Sequence, residues 1–219
     1  MRHSALPGID RHRTDGPGSA GSAVVVRWAD QVDAADLLLA EAAELLGRPA
    51  FVEHRCVRCG ADDHGQPYLV GVTSLHVSLA RAGGLGIVAL STVGRVGVDL
   101  EREDAAGFDG FAEAALHPDE RVHTTQEATR LWVRKEALLK ATGRGLTVDP
   151  RQVRLSESRQ PPALLHWAGA DDPGPAWLAD VPVTEGWLAA VAVLGPVRHD
   201  LGLSAAPSTL VGAGRHALR

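Results

Sequence analysis

Residues 96–101 read VGVDLE, a strict alternation of apolar and small or acidic side chains. Strand geometry sends successive side chains to opposite faces, so Val96, Val98 and Leu100 share one face while Gly97, Asp99 and Glu101 share the other. The segment therefore calls for a strand with a core on one side. On its other side two carboxylates stand next to a glycine that leaves room for something.

The segment 126–142 is predicted to be a helix ended by Gly143. At roughly 100° per residue, Leu131, Trp132, Leu138 and Leu139 make one apolar stripe, with Glu136 and Lys140 on its flank as i, i+4 neighbours. Lys135 falls inside the stripe, where packing alone would not choose a charge. Lys135 and Lys140 are also the only lysines in a chain whose Lys and Arg total 22. An exposed Glu136–Lys140 pair, worth a few tenths of a kcal/mol, explains neither Lys135 nor the confinement of both lysines to one segment. Lysine is a compact point charge suited to a phosphate oxygen, and clustered carboxylates suit Mg²⁺. The expectation is that Asp99, Glu101 and Glu136 hold Mg²⁺ while Lys135 and Lys140 hold phosphate. Taken alone, the acidic pair reads as a solvated strand end. The two segments together point to a site.

Around them the pattern is α+β. Residues 1–22 and the tail 204–219 are rich in Gly, Ser, Pro or Ala and are expected to be disordered or flexible. A first lobe spans 23–94 and a second spans 95–203. An Ala- and Leu-rich helix is predicted from Asp33 to Gly47, followed by an antiparallel meander through LHVSL, LGIVAL and RVGVDLE. The segment 111–123 is helical in composition, with a fresh start at Pro118. QVRL, ALLHW, AWLADV and GWLAAVAVL read as short strands.

A net charge of −5 argues against general nucleic-acid binding, which rests on excess positive charge. No apolar run approaches the roughly 20 residues that span a bilayer, and no secretory signal is evident, so a cytoplasmic protein is expected. Cys56 and Cys59 sit in EHRCVRCGADDHG with His54 and His64 alongside. These donors suit zinc, but a full structural site usually repeats the CxxC pair, so a tight Cys-containing turn with incidental histidines is the favoured reading.

VGVDLE followed by LWVRKEALLKATGRGL resembles the 4′-phosphopantetheinyl transferases. The likeness is to their larger, monomeric class, which activates carrier proteins of polyketide and nonribosomal peptide synthases. That family's strand G-[IV]-D-[ILV]-E matches Gly97 to Glu101, its W-x-x-K-E-[SA]-x-x-K matches Trp132 to Lys140, and its G-x-G-L matches Gly143 to Leu146. The likeness extends over about residues 48–194 and is strongest over 75–148.

The resemblance implies two similar α+β lobes related by a pseudo-two-fold, with the active site in the cleft between them. It implies Mg²⁺-dependent transfer of phosphopantetheine from coenzyme A to a serine of an apo acyl or peptidyl carrier protein. By it, Asp99, Glu101 and Glu136 match the Mg²⁺ ligands, Lys140 lies at the pyrophosphate, and Lys135 lies beside the coenzyme. Glu136 is the candidate base for the incoming serine.

Two departures bear on coenzyme binding. Where the family typically has Ser-His before a turn, this chain is aligned at Ala80-Arg81, so Arg81 would meet the coenzyme's 3′-phosphate. Gln66 replaces a basic residue in HGQPYL, with Arg48, Arg55 and Arg58 near in sequence to compensate. Two rivals remain: a Mg²⁺-dependent phosphodiesterase or nuclease, and a non-catalytic coenzyme-binding homologue. Phe108, Phe111, Leu116 and Val122 offer either a carrier-docking patch or core.

Overall fold

A computed structural model describes residues 23–56, 58–195 and 202–209. The expected disordered segment 1–22 lies outside the described residues, as do residues 210–219 of the tail. The chain runs β1 (Val24–Asp30), α1 (Ala34–Leu46), β2 (Val52–Arg55), β3 (Gln66–Leu69), β4 (His76–Ala82), β5 (Leu85–Ser91) and β6 (Val96–Arg102). Then come α2 (Phe111–Ala115), α3 (Thr125–Thr142), β7 (Val153–Leu155), β8 (Leu164–Trp167), β9 (Ala176–Val181), β10 (Trp187–Leu194) and β11 (Leu203–Pro207). The fold is mixed α+β.

Two sheets stack face to face, and each carries a helix on its outer side. The first has the order β11-β1-β5-β4 and the second β6-β10-β9. Val24, Val26, Ile87 and Ala89 of the first meet Val96, Val98, Leu100 and Val191 of the second in one buried core. Leu37, Leu38 and Ala42 of α1 cover the other face of the first sheet against Val88 and Leu90. Leu131, Leu138 and Leu139 of α3 cover the second sheet against Leu178, Ala190 and Ala192. Full burial of each such Leu or Val contributes about 1.5–3 kcal/mol, so these three clusters carry the fold.

The helix ends follow their sequence signals. The Asp33 side chain accepts the Ala35 N–H, and Gly47 closes α1 at φ 64°. Thr124 accepts the Glu127 N–H, while Glu127 in turn accepts the His123 N–H at 2.7 Å. Gly143 ends α3 at φ 73°, a backbone region that favours glycine.

Three expectations change. The meander is only its first hairpin, β4–β5, because β1 already occupies the other edge of β5 and β6 pairs with β10 instead. The helix expected over 111–123 stops at Ala115: Leu116 is extended, and Pro118 disfavours helical backbone in the residue before it. The tail is not loose from residue 204, since Leu203–Pro207 pairs in parallel with β1. Its Ser208 hydroxyl donates to Glu41 of α1 at 2.7 Å. That short, Ala- and Ser-rich segment is a strand only because the free edge of β1 offers it hydrogen-bond partners.

Candidate active site

Gly97 sets the distance between β6 and α3. A Cβ there would lie 1.9 Å from the Ala137 carbonyl oxygen and 2.4 Å from the Ala141 amide nitrogen. The room beside the glycine is thus filled by the helix itself, and no other residue permits so close an approach. The approach lays Asp99 and Glu101 of the strand along Glu136 and Lys140 of the helix.

Lys140 Nζ stands 2.6 Å from Asp99 Oδ1 and 3.4 Å from the Val98 carbonyl oxygen. The second oxygen of Asp99 and one oxygen of Glu136 are buried with no hydrogen-bond partner. Burial raises the pKa of Asp99, and the Lys140 ammonium opposes the rise. Burial and then the neighbouring Asp99 raise Glu101. Burial, followed by Asp99, pushes Glu136 up to about 7, against the pull of Lys140. Burial together with the charge of Asp99 thus raises both of its neighbours, a pattern of carboxylates gathered for a cation or a proton transfer.

Hard carboxylate oxygens of which two lack any partner are the donor set Mg²⁺ prefers, so the residues fit that ion. The three carboxylates are not drawn into a tight cage, however. Among the described residues, the group of three donors found within 4.8 Å of one another is Cys56, Cys59 and His64.

Lys140 also lines a cavity of about 440 Å³. Its walls come from the β2–β3 hairpin (His54, Cys56, Arg58, His64, Gln66), from Ser78 and Leu79 of β4, and from Arg144 and Thr147 after α3. A neighbouring groove shares Gln66 and Pro67 and is lined by Arg55, His76 and Arg95. The Ser78 hydroxyl accepts the buried Val98 N–H at 3.1 Å, which ties β4 to β6.

Several sequence-predicted residues lie elsewhere. Lys135 is fully buried on the opposite side of α3, with Nζ 2.6 Å from Glu120 and donating to the carbonyls of Ala115 and Pro150. Burial lowers its pKa and Glu120 opposes the fall. It holds the α2 region and the turn at Pro150, not a phosphate. Arg81 is exposed and faces Asp33 at 3.7 Å, beside the β4–β5 turn and outside the residues lining the cavity. The β4 pair that does line it is Ser78-Leu79, two residues earlier. Arg48 lines neither the cavity nor the groove. Arg58 lines the cavity, and Arg55 lines the groove.

Other partners escaped the sequence. Gln66 accepts from Arg95 at 3.1 Å, and Arg95 also donates to the last-turn carbonyl of Thr142, so a cation stands where Gln66 lacks one. Arg134 is buried and donates to both oxygens of Asp180 on β9, at 2.8 and 2.7 Å. These pairs join residues far apart in sequence, and no local spacing announces them. Of the four candidate docking residues, Phe111 and Leu116 are core, Val122 packs against that core, and Phe108 is 60% exposed.

Residues 95–192 match the family model of the 4′-phosphopantetheinyl transferase superfamily. The matched segment contains β6, α3 and most of β10, hence all of Asp99, Glu101, Glu136 and Lys140. The β2–β3 loop and β4, which supply the far wall of the cavity, precede it. No curated protein matches the chain. A match over this segment is a likeness to transferases of 4′-phosphopantetheine. No helix among the described residues is long and apolar enough to cross a membrane.

Proposed function

We propose that the protein transfers the 4′-phosphopantetheine group from coenzyme A to a serine of an apo acyl or peptidyl carrier protein and releases adenosine 3′,5′-bisphosphate. The observation that carries this reading is Lys140, which joins the partnerless oxygens of the Asp99–Glu136 cluster to the 440 Å³ cavity. A pyrophosphate entering from the cavity meets a cation and a cation-binding carboxylate set at the same point.

Asp99, Glu101 and Glu136 would hold Mg²⁺, which supplies neutralisation of the charge that develops on the pyrophosphate. Lys140 adds a second positive charge there, in a site where burial strengthens it. Glu136 takes the proton as the carrier serine oxygen attacks the phosphorus nearer the pantetheine. The bond from that phosphorus to the bridging oxygen breaks, and the nucleotide leaves with the electron pair. Ser78, Leu79, Gln66 and Arg58 line the space left for the coenzyme. In this reading the cleft lies between two α+β lobes of a monomer, and the carriers are those of polyketide or nonribosomal peptide synthesis.

The test is incubation with coenzyme A, Mg²⁺ and a panel of apo carrier proteins, followed by intact mass. A phosphopantetheine mass gain on the carrier is expected, and its abolition by Glu136→Ala. No gain on any carrier, together with cleavage of a nucleic acid, would replace the reading by a phosphodiesterase.

A further inference from the structure

The β2–β3 loop carries a second constellation that the transfer chemistry does not use. One donor atom from each of Cys56, Cys59 and His64 lies within 4.8 Å of the other two. We propose that these three residues bind Zn²⁺ and that the metal staples the loop forming one wall of the cavity.

The imidazole is oriented for this task. His64 Nδ1 stands 2.6 Å from Asp63 Oδ1, and Nε2 stands 3.4 Å from the Cys59 sulfur. In the neutral tautomer that donates Nδ1–H to this carboxylate, the lone pair of Nε2 faces the thiol, the arrangement that metal-bound histidines use. Backbone hydrogen bonds close the turn that carries the two cysteines. Cys56 N–H donates to the Ala61 carbonyl at 2.8 Å, and Gly60 N–H donates to the Cys56 carbonyl at 2.9 Å. Gly65, at φ 101°, closes the loop where a Cβ would lie 2.5 Å from the Arg55 carbonyl oxygen.

Two thiolates and an imidazole are soft donors that select zinc over Mg²⁺ or Ca²⁺. The missing second CxxC is no obstacle, because a three-ligand site keeps its fourth tetrahedral position for solvent, and Cys59 and His64 are exposed. Binding would release the thiol protons and fix the loop that joins two four-residue strands. Cys56, Arg58 and His64 line the cavity with Lys140, so an empty zinc site would loosen the wall facing the pyrophosphate. That last consequence rests on the coenzyme reading; the zinc site itself does not.

The test begins with the full-length chain, purified without chelator and measured by elemental mass spectrometry. Equimolar zinc is expected, falling to background in Cys59→Ser and in His64→Ala and unchanged in Glu136→Ala. Asp63→Asn should weaken zinc about 10–100-fold by disorienting the imidazole. Exchange of the native protein into Co²⁺ should give a near-ultraviolet thiolate-to-cobalt band that Cys59→Ser lacks. Absence of both zinc and the cobalt band in the parent protein would overturn the proposal. So would a Cys56–Cys59 disulfide, found by peptide mapping, that zinc does not prevent from forming. Neither readout needs coenzyme or carrier, so a failed zinc site and a failed transfer reaction are separate results.

Discussion

Lys140 neutralises one oxygen of Asp99 at 2.6 Å while the other oxygen of that carboxylate stays buried with no partner. One ammonium thus serves a cluster of three acids, and the resulting excess of negative charge is what makes the site receptive to a cation. The same excess costs stability, and this gives the first prediction.

Glu136 ordinarily titrates near 4.5 and is pushed up to about 7 in the fold. Its native state holds the proton more tightly than the unfolded chain, so stability falls as pH rises from about 4.5 through about 7. The shift amounts to about 3 kcal/mol at pH 8, since each pKa unit is about 1.4 kcal/mol and Glu136 is 8% exposed. Thermal melts of the metal-free protein should therefore drop between pH 5 and 8. Glu136→Gln should flatten the profile, and Mg²⁺ should restore the parent protein at pH 8. A profile unchanged by Glu136→Gln would refute the assignment.

Lys140→Ala is expected to lower kcat/KM for coenzyme A by about 10²-fold or more, the loss typical of one charge-stabilising donor. Lys140→Arg should recover little, because the 2.6 Å contact with Asp99 leaves no room for a planar fork. Steady-state kinetics at saturating Mg²⁺ would decide.

Lys135 should behave differently from Lys140. Lys135→Ala strands Glu120 in a buried setting and should cost about 3–5 kcal/mol in denaturant melts. The double variant Lys135→Met with Glu120→Gln should recover part of that. The KM for coenzyme A should stay put in any variant that folds. A raised KM at unchanged stability would return Lys135 to the binding site.

Ser78 and Arg81 make a matched pair for testing the coenzyme wall. Ser78→Ala removes the acceptor of a buried N–H and should cost about 1–3 kcal/mol. Arg81→Ala, at the exposed far end of β4, should leave both stability and coenzyme KM within error. A coenzyme KM that rises in Arg81→Ala would contradict the placement of that residue.

Gly97→Ala asks whether the strand–helix approach builds the site. The added Cβ meets helix backbone, which cannot swing aside, so a loss of about 3 kcal/mol or more is expected together with loss of activity. Differential scanning calorimetry and the transfer assay would report the two effects separately.

Local order alone specifies much of this protein. Alternation at Val96–Arg102 sends Asp99 and Glu101 to one face, and the helical period of Thr125–Thr142 puts Glu136 and Lys140 on one flank. Both follow from backbone geometry repeated every two or 3.6 residues, and they named the carboxylates and one lysine of the site. The chain could not say on which side Lys135 would end, because a charge inside an apolar stripe is tolerable only if a distant partner exists, and Glu120 is that partner. It could not separate Ser78-Leu79 from Ala80-Arg81, since only the packing of β4 on β6 decides which pair lines the cavity. Nor could it make a strand of Leu203–Pro207, which has weak preference of its own and takes its form from the edge of β1. Periodicity is a property of the segment and can be read within it. Burial, charge pairing and edge pairing are properties of two segments that meet, and only the tertiary structure says which two.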